Sequence, residues 1–208
     1  MRYIIGADEV GRGCVAGDVF VCAVAVPEDL TKIEGVRDSK KLSAGKREFV
    51  REALLSEPKL KHRLARRTAK DIDGRGISRC LRECFEEAIN EVLEAENEVA
   101  EVRIDGNPFP ITTRYPVRFI VKGDDSEWVI GAASIIAKVE RDWYMGQMAV
   151  PYPEYGFDQH AGYGTPAHIE AIKAKGLTPL HRATFCKAWV TPKVEVFEDP
   201  NLLDLFGS

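Results

Sequence analysis

The chain has 208 residues, enough for one domain with a small appendage and for a core that needs no disulfide or structural metal. Hydrophobic residues make up 45% and charged residues 30%, as in ordinary globular proteins, and the longest strongly apolar run, Val19 to Val26, is too short to cross a bilayer. Five cysteines without a CxxC pair, and no targeting segment before the first predicted strand, argue against a disulfide framework and predict a cytoplasmic protein.

The first half of the chain predicts three strands and two helices. Apolar or alternating runs predict strands over residues 2–7, 19–26 and 61–67, with the first two paired as a hairpin. Ser43 is a suitable N-cap for a helix over residues 44–56. Apolar residues at helical spacing predict a long helix over residues 77–95.

The second half alternates between strands and helices. Strands are expected over residues 99–104 and 118–122, and an alanine-rich apolar run predicts a buried helix over residues 129–139. Residues 151–166 predict a loop, and Thr165 and Pro166 predict the start of a helix that Lys175-Gly176 closes. This order predicts an α/β fold in which helices pack on a mixed sheet.

Charge is unevenly distributed along the chain. The net charge of −4 argues at first against a polyanionic partner. However, residues 59–70 carry six Lys or Arg and no acid, while residues 83–101 carry eight Glu and no Lys or Arg. The basic run fits a nucleic-acid surface and a solvated face equally well, whereas the acidic run is better explained as a solvated face.

Two adjacent carboxylates, Asp8 and Glu9, follow the first strand directly, and Gly11-Arg12-Gly13 comes next. Successive side chains of a strand point to opposite faces. We therefore expect the backbone to leave strand geometry here if both carboxylates serve one site, and the two glycines permit such a departure.

Two further strands also end near a carboxylate and a glycine, at Asp105-Gly106 and at Gly123-Asp124. Each Asp taken alone is better explained as a turn residue. Strands of one sheet can nevertheless bring such ends together, and converging carboxylates repel one another unless a divalent cation binds. The set therefore predicts a metal site, of the kind in which two cations activate a water and stabilise the leaving oxygen of a phosphodiester.

Seven motifs, in this order, resemble the type 2 ribonuclease H family, bacterial ribonuclease HII in particular. The resemblance spans roughly residues 3–186, and the ordered set is far more specific than any one motif. The motifs are Asp8-Glu9-Val10-Gly11-Arg12-Gly13, Asp38-Ser39-Lys40-Lys41-Leu42, Ile104-Asp105-Gly106-Asn107, Lys122-Gly123-Asp124, residues 132–142, Gly162-Tyr163-Gly164-Thr165 and His181-Arg182-Ala183-Thr184-Phe185.

The resemblance implies an RNase H-like mixed sheet flanked by helices, with a C-terminal helical extension. It implies hydrolysis of the RNA strand of RNA–DNA hybrids, and nicking 5′ of ribonucleotides embedded in duplex DNA by two-metal-ion catalysis, which leaves 3′-OH and 5′-phosphate ends. Asp8, Glu9, Asp105 and Asp124 match the family's catalytic carboxylates and would hold Mg²⁺ or Mn²⁺. Residues 1–190 would form the catalytic domain, and residues 191–208 a loosely attached tail.

The resemblance also implies substrate contacts. Gly11, Arg12 and Gly13 would read the ribose 2′-OH, which distinguishes RNA from DNA. Tyr163 would stack on the sugar that follows the ribonucleotide, although without the resemblance it would be taken for an ordinary loop tyrosine. The implied phosphate contacts are Lys40, Lys41 and Arg182.

Some residues depart from the family pattern or stand outside it. Cys14 and Asp18 occupy positions where the family usually has proline, so the glycine loop is expected to be less rigid. Cys80 and Cys84 are expected in the core, Asp142 is interpreted as structural, and His160 and His168 are interpreted as loop or surface residues. The four histidines lack the spacing of a zinc site.

Three alternatives remain open. A ribonuclease HIII-like enzyme would usually carry Gly-Lys-Gly in the loop, whereas this chain has Gly-Arg-Gly. A catalytically silent nucleic-acid-binding module would gain nothing from carboxylates where phosphate docks. The tail segment Leu202 to Phe206 resembles the peptide by which bacterial repair enzymes bind the sliding clamp, but it is better explained as a tail that folds back on its own domain.

Overall fold

The computed structural model describes residues 1–36, 42–94 and 97–190. Its centre is a mixed sheet of five strands in the spatial order β3-β2-β1-β4-β5. Strand β2 pairs antiparallel with both β1 and β3. Strand β4 runs parallel to β1, and β5 runs parallel to β4. The carboxyl ends of β1, β4 and β5 therefore lie at one edge. The strands are β1 (Arg2–Val10), β2 (Val19–Pro27), β3 (Lys61–Arg67), β4 (Glu98–Asp105) and β5 (Val117–Ile120).

Helices cover both faces of this sheet, and shorter helices follow towards the C-terminus. This arrangement confirms the predicted α/β class, a mixed sheet flanked by helices. The helices are α1 (Ala44–Leu55), α2 (Ala69–Arg75), α3 (Ile77–Glu91), α4 (Gly123–Ser126), α5 (Trp128–Ala149), α6 (Phe157–His160), α7 (Pro166–Lys175) and α8 (Ala183–Cys186).

Strand β2 is buried along its whole length because it lies between two helical layers. Its odd-numbered residues from Val19 to Ala25 pack in one cluster with Phe85 and Ile89 of α3. Its even-numbered residues from Cys22 to Val26 pack in a second cluster with α1 and α5. Successive side chains of β2 point to opposite faces of the sheet, and each face is covered by a hydrophobic core. This explains why β2 has no polar face.

Helix α5 packs unusually close to β1, and Gly6 is the reason. A Cβ atom at Gly6 would lie 2.4 Å from the backbone of Val129, a distance that real Cβ atoms do not show. The missing side chain lets the helix lie directly on the strand, four residues before the strand ends at Val10. Close packing here brings the side chains of α5 up to the carboxyl end of β1.

Both predicted N-caps are confirmed, but several helix boundaries differ from the predictions. Ser43 accepts a hydrogen bond from the Lys46 N–H, and Thr165 accepts one from the His168 N–H. Helix α5 runs ten residues beyond the predicted end at Val139. The charged residues 140–142 follow Val139, and the apolar residues beyond them are buried by the C-terminal part of the fold. Helix α3 ends at Glu91, four residues before the predicted end.

Several short elements were not predicted. Helix α2 begins at a capping box in which Thr68 and Asp71 satisfy each other's backbone N–H groups, a signal readable in the sequence. The predicted loop over residues 151–166 contains a 3-10 turn at Pro153–Tyr155 and the helix α6.

The C-terminal helices form a third core against the segment that follows β1. Tyr144, Met145 and Met148 of α5 pack there with side chains of α6 and α7 and with Val15, Ala16 and Phe20. From the other side, the Asp73 carboxylate accepts hydrogen bonds from the N–H groups of Ala183 and Thr184 at the start of α8. The helical extension is therefore one wall of the loop between β1 and β2.

The acidic and basic runs of the sequence meet each other in space. Arg63 lies 2.8 Å from Glu91, and Arg67 lies 2.9 Å from Glu87, so arginines of the edge strand β3 pair with glutamates of α3. This pairing favours the solvated-face interpretation for these arginines. In the described part of the chain, no helix is both long and apolar enough to cross a bilayer.

Candidate active site

The predicted carboxylates stand where the parallel strands end. The last residue pair between β1 and β4 is Ala7 with Ile104, so Asp8 and Asp105 are the next residues on the two neighbouring strands. Strand β1 itself continues to Val10, still paired with β2. The expectation that the backbone leaves strand geometry at this pair is therefore wrong.

Asp8 and Glu9 nevertheless line one cavity, of about 410 Å³. Pairing with β4 stops after Ala7 while pairing with β2 goes on. Beyond Ala7, β1 has one unpaired edge, and residues from both of its faces can reach the space beside that edge. Seven predicted site residues line this cavity: Asp8, Glu9, Gly11, Arg12, Gly13, Asp105 and Tyr163.

The cavity is electrostatically unfavourable for its own acids. The pKa of Asp8 is raised to about 8, mainly by burial and also by the charges of Glu9 and Asp105, although a hydrogen bond from Ser134 opposes the rise. Burial also raises the pKa of Glu9, although Arg12, at 3.7 Å, lowers it. Protein groups alone thus leave these carboxylates poorly stabilised as anions.

Asp105 and Asp124 are linked through the turn between them. The Gly123 N–H donates to Asp105 Oδ1 at 2.7 Å, which ties the end of β4 to the start of α4. The preceding Lys122 adopts a left-handed conformation with φ 57°, and this bend starts the helix. Asp124 is 2% exposed and does not line the cavity that Asp8, Glu9 and Asp105 share.

The donor set suits a hard divalent cation. Carboxylate oxygens are the ligands that Mg²⁺ and Mn²⁺ prefer, and a cation would relieve the repulsion that raises the pKa of Asp8. Within residues 1–36, 42–94 and 97–190, no three His, Cys, Asp or Glu side chains lie close enough together to form a finished metal cage. A cation would therefore have to draw the carboxylates closer.

The two glycines of the Gly-Arg-Gly segment differ in what surrounds them. Gly11 has φ +89°, and a Cβ atom there would lie 2.2 Å from Arg141 Nε, so internal packing requires glycine. At Gly13, in contrast, no described atom lies within 4 Å of the Cβ position. The fold therefore leaves open space at Gly13, on the wall of the cavity.

Tyr163 lines the same cavity with a side chain that is 45% exposed. Its backbone is held from behind, because His168 Nδ1 donates to the Tyr163 carbonyl at 2.9 Å. Gly162, beside it, accepts from the N–H groups of Val15 and Ala16 at 2.9 and 3.2 Å. The tyrosine loop and the glycine loop thus support each other.

Three histidines form a network behind Tyr163. The Thr178 N–H donates to His181 Nδ1 at 2.9 Å, so His181 carries its proton on Nε2 and donates it to His168 Nε2 at 3.0 Å. His160 stacks on His168 with ring centres 4.4 Å apart. The interpretation of His168 as a loop or surface residue is wrong, since its side chain is completely buried.

Arg182 is not placed to touch a substrate. Its side chain is completely buried and donates to the carbonyls of Arg12 and Gly17, at 3.0 and 2.9 Å for the closest pairs. The prediction of a direct phosphate contact is therefore wrong for Arg182. The predicted contacts Lys40 and Lys41 lie outside the described residues.

Three cavity residues were not singled out from the sequence: Arg47, Ser134 and Lys138. Ser134 and Lys138 are four residues apart on α5 and therefore share one face of the helix. Asp142, a further four residues on, lies 2.6 Å from Lys138. This spacing was a readable signal, hidden within a run that otherwise predicts a buried helix. Arg47 gave no such signal.

Comparison with known proteins points to one family. The sequence model of the family described as Ribonuclease HII matches residues 5–188. Ribonuclease HII of Helicobacter pylori strain P12 is 42% identical over 189 residues, which cover 88% of this chain and 90% of that protein. Ribonuclease HII of Clostridium acetobutylicum is 43% identical over 188 residues, covering 88% and 72%.

Solved structures share the fold. Ribonuclease H2 from Pyrococcus horikoshii OT3 superposes with a TM-score of 0.75 at 27% identity, covering 89% of this chain and 96% of that one. A chain of the PCNA:RNase HII complex from Archaeoglobus fulgidus gives 0.70 at 26% identity, covering 88% and 94%. Bst-RNase HIII in complex with Mn²⁺ gives 0.65 at 20% identity, covering 84% and 63%, a likeness that shows the fold alone.

Proposed function

Because the chain belongs to the ribonuclease HII family, we propose that it cuts RNA–DNA hybrids in the RNA strand and nicks duplex DNA on the 5′ side of an embedded ribonucleotide. It is a type 2 ribonuclease H, a hydrolase with endonuclease activity. One observation carries the finer proposal: Asp8, Glu9 and Asp105 share a cavity with Gly13 and Tyr163. Carboxylates able to bind a divalent cation therefore line the same cavity as a segment that leaves room for a sugar.

We assign the metal site to Asp8, Glu9, Asp105 and Asp124. Their oxygens fit Mg²⁺ or Mn²⁺, and the repulsion among the cavity acids gives a cation a reason to bind. Bound cations would activate a water and stabilise the leaving oxygen, so that 3′-OH and 5′-phosphate ends result. No side chain of this protein then needs to act as nucleophile.

The protein's own groups orient these acids. Ser134 donates to Asp8, and the Gly123 N–H holds one oxygen of Asp105 at 2.7 Å, which fixes the position of the Asp105 carboxylate on the cavity wall. Arg12 and Lys138, also on the cavity wall, supply positive charge for a phosphodiester that approaches the acids. The acids bind the cation, and the basic groups bind the substrate backbone.

Recognition of the ribose falls to the Gly11–Gly13 segment. The open space at Gly13 lets a sugar approach the backbone, whose N–H and C=O groups can bond a 2′-OH. Tyr163, which is partly exposed and lines the same cavity, offers a ring face to the next sugar. We keep Lys40 and Lys41 as proposed phosphate contacts.

A nicking assay tests the proposal. The substrate is a DNA duplex with one ribonucleotide, incubated with Mg²⁺ or Mn²⁺, and an all-DNA duplex of the same sequence is the control. We expect one nick, 5′ of the ribonucleotide, with a 3′-OH end. Equal cutting of both duplexes would overturn the substrate assignment. Binding without cutting in either cation would instead support a silent binding module.

A tail contact is a separate proposal. The relative from Archaeoglobus fulgidus was solved in a complex with PCNA. Residues 202–206 of this chain lie outside the described residues, as does the whole of the proposed tail, 191–208. We propose that this tail binds a sliding clamp while residues 1–190 carry the activity. A pull-down with clamp should lose the protein when residues 202–208 are deleted, and unchanged capture would contradict the proposal.

A further inference from the structure

Two arginines that take no part in the proposed chemistry, Arg141 and Arg182, are the largest completely buried side chains among the described residues. A buried guanidinium is costly unless its N–H donors are matched by acceptors. The acceptors of these two side chains therefore show which part of the fold they stabilise.

Arg141, on α5, forms hydrogen bonds with the loop between β1 and β2. Its Nε donates to the Asp18 carbonyl at 2.9 Å, and its Nη2 donates to the Ala16 carbonyl at 3.1 Å. Its Nη1 donates to the Ala161 carbonyl at 2.7 Å, in the segment that leads to Tyr163. One side chain thus joins the two loops that form the substrate side of the cavity.

Arg182 holds the same loop from the C-terminal side. Its Nε and Nη2 both donate to the Gly17 carbonyl, at 3.1 and 2.9 Å. Its Nη1 donates to the Arg12 carbonyl at 3.0 Å, within the Gly-Arg-Gly segment itself. The neighbouring backbone adds a further tie, because the Arg182 N–H donates to the Val15 carbonyl at 2.8 Å.

The loop is shaped around these side chains. A Cβ atom at Gly17, which has φ +81°, would lie 2.3 Å from Met145 Sδ and 3.2 Å from Arg141 Nη2, so Met145 and Arg141 together leave no room for a side chain. The clash at Gly11 described above involves the same guanidinium. The Asp18 carboxylate, itself buried, accepts from the Tyr144 hydroxyl at 3.1 Å and lies 3.8 Å from Arg66, which places a negative charge beside the arginines.

We propose that Arg141 and Arg182 are positioning residues that fix the backbone of residues 11–18 in the geometry that reads the ribose. The inference rests on the proposed function, because it assumes that this loop contacts the 2′-OH. Neither arginine touches the substrate. Removing their hydrogen bonds should misplace the Gly11–Gly13 backbone and slow the chemical step, while the phosphate contacts that hold the duplex remain.

Conservative variants test this role. Arg182→Lys and Arg141→Lys keep the charge but lose the fork of parallel donors. On duplex DNA with one ribonucleotide we expect each variant to lose about 100-fold in kcat, with KM changed by no more than about threefold. A second substrate carries 2′-fluoro in place of the 2′-OH. The ratio of rates on the two substrates should fall in both variants.

A core variant serves as the matched control. Ile89→Ala makes a cavity in the hydrophobic cluster around α3, which includes none of residues 11–18, and should lower Tm. It should keep kcat and the substrate ratio. Loss of the same kcat in Ile89→Ala as in the lysine variants, or an unchanged substrate ratio in the latter, would overturn the positioning role.

Hydrogen exchange gives a readout that does not depend on activity. The Val15 and Gly17 N–H groups donate to Gly162 and Leu180 carbonyls at 2.9 and 2.7 Å. In the wild-type protein we expect slow exchange at both, and in any lysine variant that folds, faster exchange there but not in α3. Fast wild-type exchange at these amides would overturn the inference alone. Equal wild-type cutting of ribose and deoxyribose sites would overturn the proposed function.

Discussion

The molecule has two acidic regions, and the protein treats them in opposite ways. On α3, Glu83 receives bonds from Arg75 and Arg79 at 2.7 and 2.9 Å, and the hydrogen bond from Arg79 is the main cause that lowers its pKa. At the carboxyl end of β1, burial and two neighbouring acids raise the pKa of Asp8 to about 8. The glutamates are matched within the fold, whereas Asp8 is not.

The difference teaches how to separate a functional acid from a structural one. A carboxylate whose pKa is lowered by arginines stabilises the native state and needs no ligand. A carboxylate held in a raised-pKa environment destabilises the native state as an anion and implies a partner that restores the balance. The acidic run stands out in the sequence because it contains many glutamates. The candidate site is distinguished instead by a carboxylate whose pKa is raised by burial and whose charge no basic group in the described part of the fold compensates.

The largest expected effect is on catalysis. Asp8→Asn keeps the size of the side chain and an oxygen for the Glu9 N–H, which donates at 2.7 Å in the wild type. It removes the charge that holds a cation, so kcat on ribonucleotide-containing duplex should fall by about 10³-fold or more. Glu83→Gln is the matched control and should keep full activity. A comparable loss in both variants would remove the distinction between the two regions.

The glycine loop offers the same comparison at a second site. Gly13→Ala adds a methyl group in open space, so Tm should stay near the wild-type value while cleavage falls by about 100-fold through blocked sugar approach. Gly11→Ala meets Arg141 at a positive φ and should lower Tm. Thermal unfolding and nicking, measured on both variants, check this. Full activity of Gly13→Ala would show that no ligand uses the open space.

Stability in the absence of divalent cations should change in opposite directions in the two acidic regions. The raised pKa of Asp8 means that the stability of its neutral form is present below about pH 4 and is lost as the pH rises towards 8. At pH 7, Asp8→Asn should therefore raise the free energy of unfolding by on the order of 2 kcal/mol, or about 5 °C in Tm.

Glu83→Gln should instead lower the free energy of unfolding by about 0.5 kcal/mol, because exposed ion pairs contribute little. Adding Mg²⁺ should stabilise the wild type, by about 2.7 kcal/mol at one hundred times Kd, but not Asp8→Asn. Calorimetry in EDTA and in Mg²⁺ measures both signs. A Tm for Asp8→Asn below that of the wild type in EDTA would contradict the conclusion that the charged form of Asp8 destabilises the native state.

The last prediction concerns the pH dependence of stability away from the acidic regions. Burial, and then the charge of His168, lowers the pKa of His181 to about 3. The unfolded chain takes up this proton below about pH 6.5 and the native state does not, so stability falls as the pH drops from 6.5 towards 3. At pH 5 the loss from His181 should be about 2 kcal/mol. Urea unfolding at pH 7 and 5 should show a clearly smaller loss for His181→Gln than for the wild type. His62→Gln should reduce the loss much less, because His62 is exposed, although burial also lowers its pKa.

Much of the fold could be predicted from the sequence, because its strands and caps use local signals. β3 was predicted with its observed bounds, and the Ser43 and Thr165 caps were identified from residue type and position. The errors arise where tertiary contacts decide. The second half of α5 is too charged to read as buried, and only the packing of the C-terminal core against it explains its length.

The site was partly readable in the same way. Strand-end position and residue type indicated Asp8, Glu9 and Asp105, since parallel strands bring their ends to one edge. The sequence could not show that β1 outruns its pairing with β4, which lets two successive residues share a cavity. The sequence also could not show that Arg182 is buried. Burial of this guanidinium depends on carbonyl acceptors in a loop that is distant in the sequence, at Arg12 and Gly17.

The histidine network has a consequence for metal selectivity. Zinc prefers nitrogen ligands, yet these three neighbouring imidazoles are not arranged to hold a metal ion, and no group of three such side chains in the described part of the chain is. Here the ring nitrogens of His168 already bond Tyr163 and His181, at 2.9 and 3.0 Å. Those of His160 bond Tyr155 and Gly162, and the remaining nitrogen of His181 bonds Thr178.

A zinc ion could enter only by displacing several of these buried hydrogen bonds at once and releasing the backbone behind Tyr163. The hydrogen bonds therefore leave no ring nitrogen of His160, His168 or His181 available as a zinc ligand. The three imidazoles instead support the backbone behind Tyr163, on the wall of the cavity.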